Sequence, residues 1–141
     1  MTGTNGSSDS LLTMSTAIHH AMSSAKKWGG NPDDYMSIHD WFDQSKEHGW
    51  DFTHRAILHH TLGITICEQV FGPMWTVKST GKKIPTRWIG EQHLMEDFGF
   101  VPTPADWMKT IKPGAWMLRG AKSAKELGLA QALHEYTPKV N

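Results

Sequence analysis

The chain has 141 residues, 38% hydrophobic, 20% charged and 10% aromatic, with 13 glycines and 7 prolines, the profile of one globular domain long enough to bury a core. Its 14 Lys and Arg balance 14 Asp and Glu, which argues against a general affinity for nucleic acid or anionic lipid, because both depend on accumulated positive charge. No apolar run approaches the roughly 18 residues that span a bilayer, and the polar stretch Met1–Ser10 lacks the basic start and apolar middle of a secretory signal, so a cytoplasmic protein with no membrane partner is expected.

In chain order, residues 1–9 have the composition of a disordered leader, residues 10–118 read as a single helical domain and residues 119–141 as a C-terminal helix or tail. Leu11, Leu12, Met14, Ala17, Ile18, Ala21, Met22 and Ala25 recur at helical spacing, so a first helix is expected over Ser10–Trp28, stopped by Gly29-Gly30-Asn31-Pro32. A second starts near Ser37 and runs to His48, with Gly49 as its stop. Asp51 is placed to cap the longest helix, Phe52–Phe71, ended by Gly72-Pro73. Met74–Val77 and Lys83–Ile89 flank the turn-rich Ser79-Thr80-Gly81-Lys82, the pattern of a short hairpin that Pro85 confines to an edge. Thr86–Phe98 reads as helix with Gly99 at its end, and Thr103-Pro104-Ala105-Asp106 opens another short one. Ser123–Glu135 is Ala- and Leu-rich and can form one more. The fold class is therefore mainly α, a compact bundle of about five short helices with one small β-hairpin. Seven tryptophans, most beside helix ends, read as rigid fillers at the joints.

Chemistry concentrates in the nine histidines. The single cysteine, Cys67, rules out an internal disulfide or a Cys-based zinc cluster, reads as a core residue, and leaves His and carboxylate to build any metal site. On a wheel of one continuous helix over 52–71, His54, Thr61, Thr65 and Glu68 share a polar strip, whereas His59 and His60 fall on the apolar arc and are expected to be buried. For one buried imidazole, a hydrogen bond to a backbone carbonyl is the ordinary outcome; two in succession point further. His39 and Asp43 are spaced i, i+4, as are His93 and Asp97, so each pair faces one side of its helix and offers a metal a neutral nitrogen and a carboxylate oxygen. The candidate metal ligands are His39, Asp43, His54, His59, His60, His93 and Asp97, with His20 and Glu68 in reserve. Glu91 is a candidate acid or base, Glu91 and Glu96 offer further oxygen ligands or acceptors for an imidazole N–H, and Lys46, Arg55 and Arg87 are candidate cations for a phosphoryl oxygen. A phosphate-binding glycine loop, a dinucleotide-binding glycine fingerprint, a nucleophile elbow and a His-Glu-x-x-His zinc helix are all missing from the sequence.

His39-Asp40-Trp41-Phe42-Asp43, His54-Arg55-Ala56 with Leu58-His59-His60, and Arg87-Trp88-Ile89-Gly90-Glu91-Gln92-His93 with Asp97 carry a resemblance to an uncharacterised family of small bacterial and phage-encoded proteins, extending over about Ala17 to Trp107. The resemblance implies that these His, Asp, Glu and Arg positions belong to one recurring constellation. It implies no particular activity.

Two functions compete on these residues. One is a metal-dependent hydrolase of a small phosphorylated substrate, a phosphoester or nucleotide, with zinc first among divalent ions and manganese or iron next. The other is a noncatalytic module with a structural metal site or a buried His/Asp network, binding a host protein or a second copy of itself through exposed tryptophan.

Overall fold

In the computed structural model, the described residues are 16–47, 52–112 and 114–119, and they fall into two units that part between Ala105 and Asp106. The leader, the expected start of the first helix at Ser10, the stop at Gly49, the cap at Asp51 and nearly all of the C-terminal segment lie outside them. Five α-helices are described: α1 (Ala17–Trp28), α2 (Met36–Asp43), α3 (Thr61–Phe71), α4 (Thr86–Phe98) and α5 (Pro104–Met108). Strands β1 (Met74–Thr76) and β2 (Lys83–Pro85) form the one small sheet among the described residues. Mainly α with a hairpin is the observed class.

Two expected elements are broken. The second helix is α only to Asp43 and continues as a 3-10 turn over Gln44–Glu47. The third is not one helix: Phe52–Ile57 is 3-10, a turn follows, and α3 starts at Thr61. His60 explains the break. Its backbone is extended and its Nδ1 accepts the Gly63 N–H at 3.0 Å, so it caps a new helix instead of continuing an old one.

The first unit is built on Ala21, Tyr35, Ile38, Phe42, Ile64, Cys67, Val77, Ile84, Ile89 and Leu94, all buried and in one cluster; each large side chain there contributes about 1.5–3 kcal/mol by leaving water. Burial pushes the Cys67 thiol up to about 12, which makes it an inert packing residue. The hairpin pairs Met74 with Pro85, Trp75 with Ile84 and Thr76 with Lys83, antiparallel. It is shorter than Lys83–Ile89 because Pro85 ends the strand and stands at the N-cap of α4, where Thr86 Oγ1 donates to the Gly72 carbonyl at 2.5 Å. Trp28, Trp41 and Trp75 pack against the core, as joint fillers should, whereas Trp88 lies on the surface of α4. In the second unit a 3-10 turn, Ala115–Leu118, carries the exposed Trp116.

Asp34 ties the α1–α2 connection to the hairpin turn. Its carboxylate accepts the Asn31 N–H at 2.8 Å and the Ser79 N–H at 3.2 Å. The Asn31 N–H, and then the Ser79 hydroxyl and N–H, hold its carboxyl below the usual carboxylate range. A depressed carboxyl contributes stability above its unfolded pKa of about 4 and loses it as pH falls through the folded value. An Asp34→Asn variant is therefore expected to unfold at lower urea than wild type at about pH 7, with the gap narrowing as pH falls below about 4. Urea midpoints across that range check it, and a gap independent of pH overturns the assignment.

Candidate metal centre

Four short segments converge on one buried point. α2 contributes His39 and Asp43, α4 contributes His93 and Asp97, α1 contributes His20, and the turn before α3 contributes His59. The two i, i+4 pairs face inward because α2 and α4 approach closely: a β-carbon at Gly90 would stand 3.1 Å from Phe42 Cζ and 3.3 Å from Ile64 Cγ1, so only glycine gives α4 this depth without a shift in its neighbours. His20, His39, His59 and His93 are fully buried, and Asp43 and Asp97 almost so.

The innermost donors are His59 Nε2, His93 Nε2, Asp43 Oδ1 and Asp97 Oδ2. Each imidazole nitrogen stands 3.4 Å from each of the two carboxylate oxygens, and all four atoms lie within 4.8 Å of one another. At 3.4 Å these are ion-pair distances rather than hydrogen bonds. His93 Nε2 and both oxygens of Asp43 and of Asp97 are buried without a hydrogen bond of good geometry, a cost of about 1–3 kcal/mol per group if nothing else occupies the space between them. Donors bound at about 2.0–2.2 Å to an ion at the centre of a tetrahedron stand about 3.3–3.6 Å from one another. The four nitrogen–oxygen distances fall in that range, and these buried groups can hold a metal ion.

The electrostatics agree. Burial alone would raise both carboxyls, but His59 and His93 hold Asp43 well below the usual carboxylate range, and His20, His59 and His93 do the same for Asp97. Both are therefore ionised in a site shielded from water. Around them lies a second layer. His20 Nδ1 is 2.7 Å from Glu96 Oε1 and its Nε2 is 3.2 Å from Asp97 Oδ1; burial lowers its pKa, but hydrogen bonds and charge from Asp97 and Glu96 outweigh that and raise it. Arg55 Nη2, also buried, lies 3.9 Å from Asp97 Oδ1. His39 makes contact through both nitrogens, Nε2 with Ser24 Oγ at 2.8 Å and Nδ1 with His93 Nδ1 at 2.9 Å. Burial, then the His93 and His20 rings, push its pKa down to about 2, so it is neutral.

The sequence-derived candidates thus divide. Asp43, His59, His93 and Asp97 meet as the inner set; His39 and Arg55 stand directly behind it, and His20, held in reserve, clamps Asp97. His54 Nδ1 bonds Ser45 Oγ at 2.9 Å, and its ring lies edge-on to His59 with centroids 5.9 Å apart. His60 is turned to the backbone: Nε2 donates to the Ile57 carbonyl at 3.0 Å while Nδ1 caps α3, which fixes the turn that presents His59. Lys46, half-exposed, reaches within 3.9 Å of Asp43 Oδ2. Arg87 and Glu91 pair with each other at 3.1 Å on the outside of α4, where Glu91 lines a cavity of about 590 Å³ with Trp28, Trp88, Gln92 and Glu96. Glu68 belongs neither to the inner set nor to the second cluster of buried donors, His20, His39 and His93. Glu96, expected as a further oxygen ligand or as an acceptor for an imidazole N–H, stands 2.7 Å from His20 Nδ1; sequence reasoning gave no role to Ser24 or Gln92. A signal was present: 20/24 and 92/96 repeat the i, i+4 spacing of 39/43 and 93/97, and 92/96 runs one residue ahead of the ligand pair on the same helix.

Residues 15–117 match the model of a domain of unknown function, DUF6915. The chain belongs to that family. No curated protein and no solved structure matches it significantly, so the family membership carries no activity with it, and the site's chemistry is read from its own atoms.

The turn that carries His59 depends on Gly63. A β-carbon there would overlap the Leu58 carbonyl oxygen, and neither backbone segment can yield without displacing His59 or His60. Gly63→Ala is expected to destabilise the fold by about 1–3 kcal/mol, the cost of overpacking, although alanine is otherwise the better helix former. Urea unfolding checks this; an unchanged or raised midpoint overturns it.

Proposed function

We propose that this protein binds one divalent first-row metal ion, zinc by preference, at His59 Nε2, His93 Nε2, Asp43 and Asp97, and that the ion holds the first unit together. The observation that supports this reading is the ring of four 3.4 Å nitrogen–oxygen distances among buried atoms. A flat square with that edge would put the donors about 2.4 Å from its centre, too long for nitrogen on zinc; folding it toward a tetrahedron brings them to about 2.1 Å. Two imidazoles and two carboxylates suit zinc, with iron and manganese the next choices. Four protein donors fill a tetrahedral shell, as structural sites do, and the ion neutralises two carboxylates that the core otherwise leaves opposed.

A second reading, metal-dependent hydrolysis of a phosphoester or nucleotide, rests on Arg55. It is a buried guanidinium beside a ligand carboxylate, and its Nε makes no hydrogen bond. A metal would lower the pKa of a bound water, and the guanidinium would take a phosphoryl oxygen. Glu91, Arg87 and Lys46 would then act from outside the inner set. Under either reading no membrane partner is invoked, and no helix among the described residues is long and apolar enough to cross one.

Elemental analysis of tag-free protein is expected to find near-stoichiometric metal, falling strongly in Asp97→Asn and in His59→Ala. Chelation should lower the thermal midpoint by roughly 5 °C or more, since a site filled at a hundred times its Kd contributes about 2.7 kcal/mol. Wild-type protein that holds no metal and takes up none on addition overturns the proposal. Phosphoester turnover by the metal-replete protein, lost in Arg55→Ala with the metal retained, would establish the second reading; a metal-replete protein without turnover removes it.

A further inference from the structure

Behind the inner donors an unbroken chain of polar groups runs across three helices: Gln92 on α4, Ser24 on α1, His39 on α2 and back to His93 on α4. All four are buried, and each link fixes the direction of the next. Gln92 Nε2 faces two acceptors, the His20 carbonyl at 3.0 Å and Glu96 Oε1 at 2.8 Å, which orients the amide with its oxygen toward Ser24. Ser24 Oγ stands 3.0 Å from the His20 carbonyl oxygen, a second acceptor for its proton, and 2.6 Å from that amide oxygen. Two bare oxygens do not approach so closely, so the hydroxyl proton lies between them. Having a single proton, Ser24 is left to accept from His39 Nε2, and His39 therefore carries its proton there. Its neighbours on this chain, a hydroxyl and an imidazole, offer no counter-charge, so its Nδ1 is bare. That lone pair faces His93 Nδ1 at 2.9 Å, which must donate to it. His93 Nε2 is left to face Asp43 and Asp97 at 3.4 Å, where its lone pair can take a metal ion and, without one, an N–H there can pair with the two carboxylates.

We infer that Ser24 and His39 are positioning residues that select the His93 tautomer and so present its Nε2 as a metal donor. The metal half of this inference rests on the proposed function; the tautomer half stands without it. Metal-binding histidines owe orientation and basicity to the partner of their second nitrogen, and loss of such a partner typically costs 10–100-fold in affinity. Here the partner is another neutral imidazole, set in turn by a serine.

Two measurements test it. Long-range proton–nitrogen spectra of metal-free protein should show the proton of His39 on Nε2 and a proton on His93 Nδ1, with the fixed occupancy of His93 Nδ1 lost in Ser24→Ala. A wild-type His93 with a bare Nδ1 overturns the inference whether or not the protein binds metal. Zinc affinity, from competition with a chromophoric chelator, should fall 10–100-fold in Ser24→Ala and His39→Phe and stay within about threefold of wild type in Ser24→Thr and His39→Asn. Asparagine offers an oxygen acceptor near the Nδ1 position, whereas phenylalanine only fills the space. If packing were the role of His39, Phe would bind zinc better than Asn, and that order also overturns the inference. A wild type with the stated tautomers and no uptake of zinc supports the relay while sinking the metal reading alone.

Discussion

Asp43 and Asp97 reach the same pair of imidazole nitrogens from two different helices, inside a core that screens them from water. Like charges placed so close in a medium of low dielectric repel strongly unless a positive charge lies between them. The compensation supplied by the chain is one-sided. Arg55 and His20 both approach Asp97, whereas Asp43 has, beyond the shared imidazoles, a half-exposed lysine at 3.9 Å. The space between the four donors is where an added cation lowers the energy most, and the packing of α2 against α4 depends on what occupies it.

That dependence follows from the shortness of the elements. α2 has 8 residues and α3 has 11, lengths at which isolated helices are marginal in water, so they persist only through tertiary contacts. Phe42, Ile64 and Leu94 supply the apolar part. The rest of the inward face of α4 is polar, since Gln92, His93 and Asp97 are buried together with Ile89 and Leu94. A core with this much polar surface is satisfied through networks or through an ion, and here a hydrogen-bonded layer stands behind a ring of four donors that can hold an ion.

Much of this was legible in the sequence, and the reasons differ by element. Thr86–Phe98 was readable from its ends alone, the turn-and-proline entry and Gly99 in the left-handed conformation at its exit. Its burial pattern was not, because hydrophobic periodicity cannot flag a face made of Gln, His and Asp. The pairs 39/43 and 93/97 were readable because i, i+4 spacing survives whatever the helix packs against. The long helix over 52–71 failed because periodicity was extended across His60, and a histidine whose ring nitrogen accepts the N–H three residues on does not look like the Ser, Thr, Asp or Asn of an ordinary cap. His59 was expected to be buried and is, but in a turn rather than on a wheel. Ser24 and Gln92 carry no chemistry when read alone; they matter through distances that only the fold supplies.

The histidines divide their labour by what each second nitrogen touches. His60 is spent on backbone groups and shapes the turn. His20 bridges two carboxylates and steadies Asp97. His39 is neutral and bonded on both sides, which removes it from direct coordination and makes it a support. His59 and His93 turn a ring nitrogen toward both carboxylates. An arrangement with this much commitment behind two donor atoms favours a fixed ion over an exchangeable one, because every supporting bond raises the cost of moving a ligand aside. Catalysis at such a centre would require the shell to open or expand for water, and Asp43, braced by fewer groups of the second layer than Asp97, is the ligand whose movement would cost least.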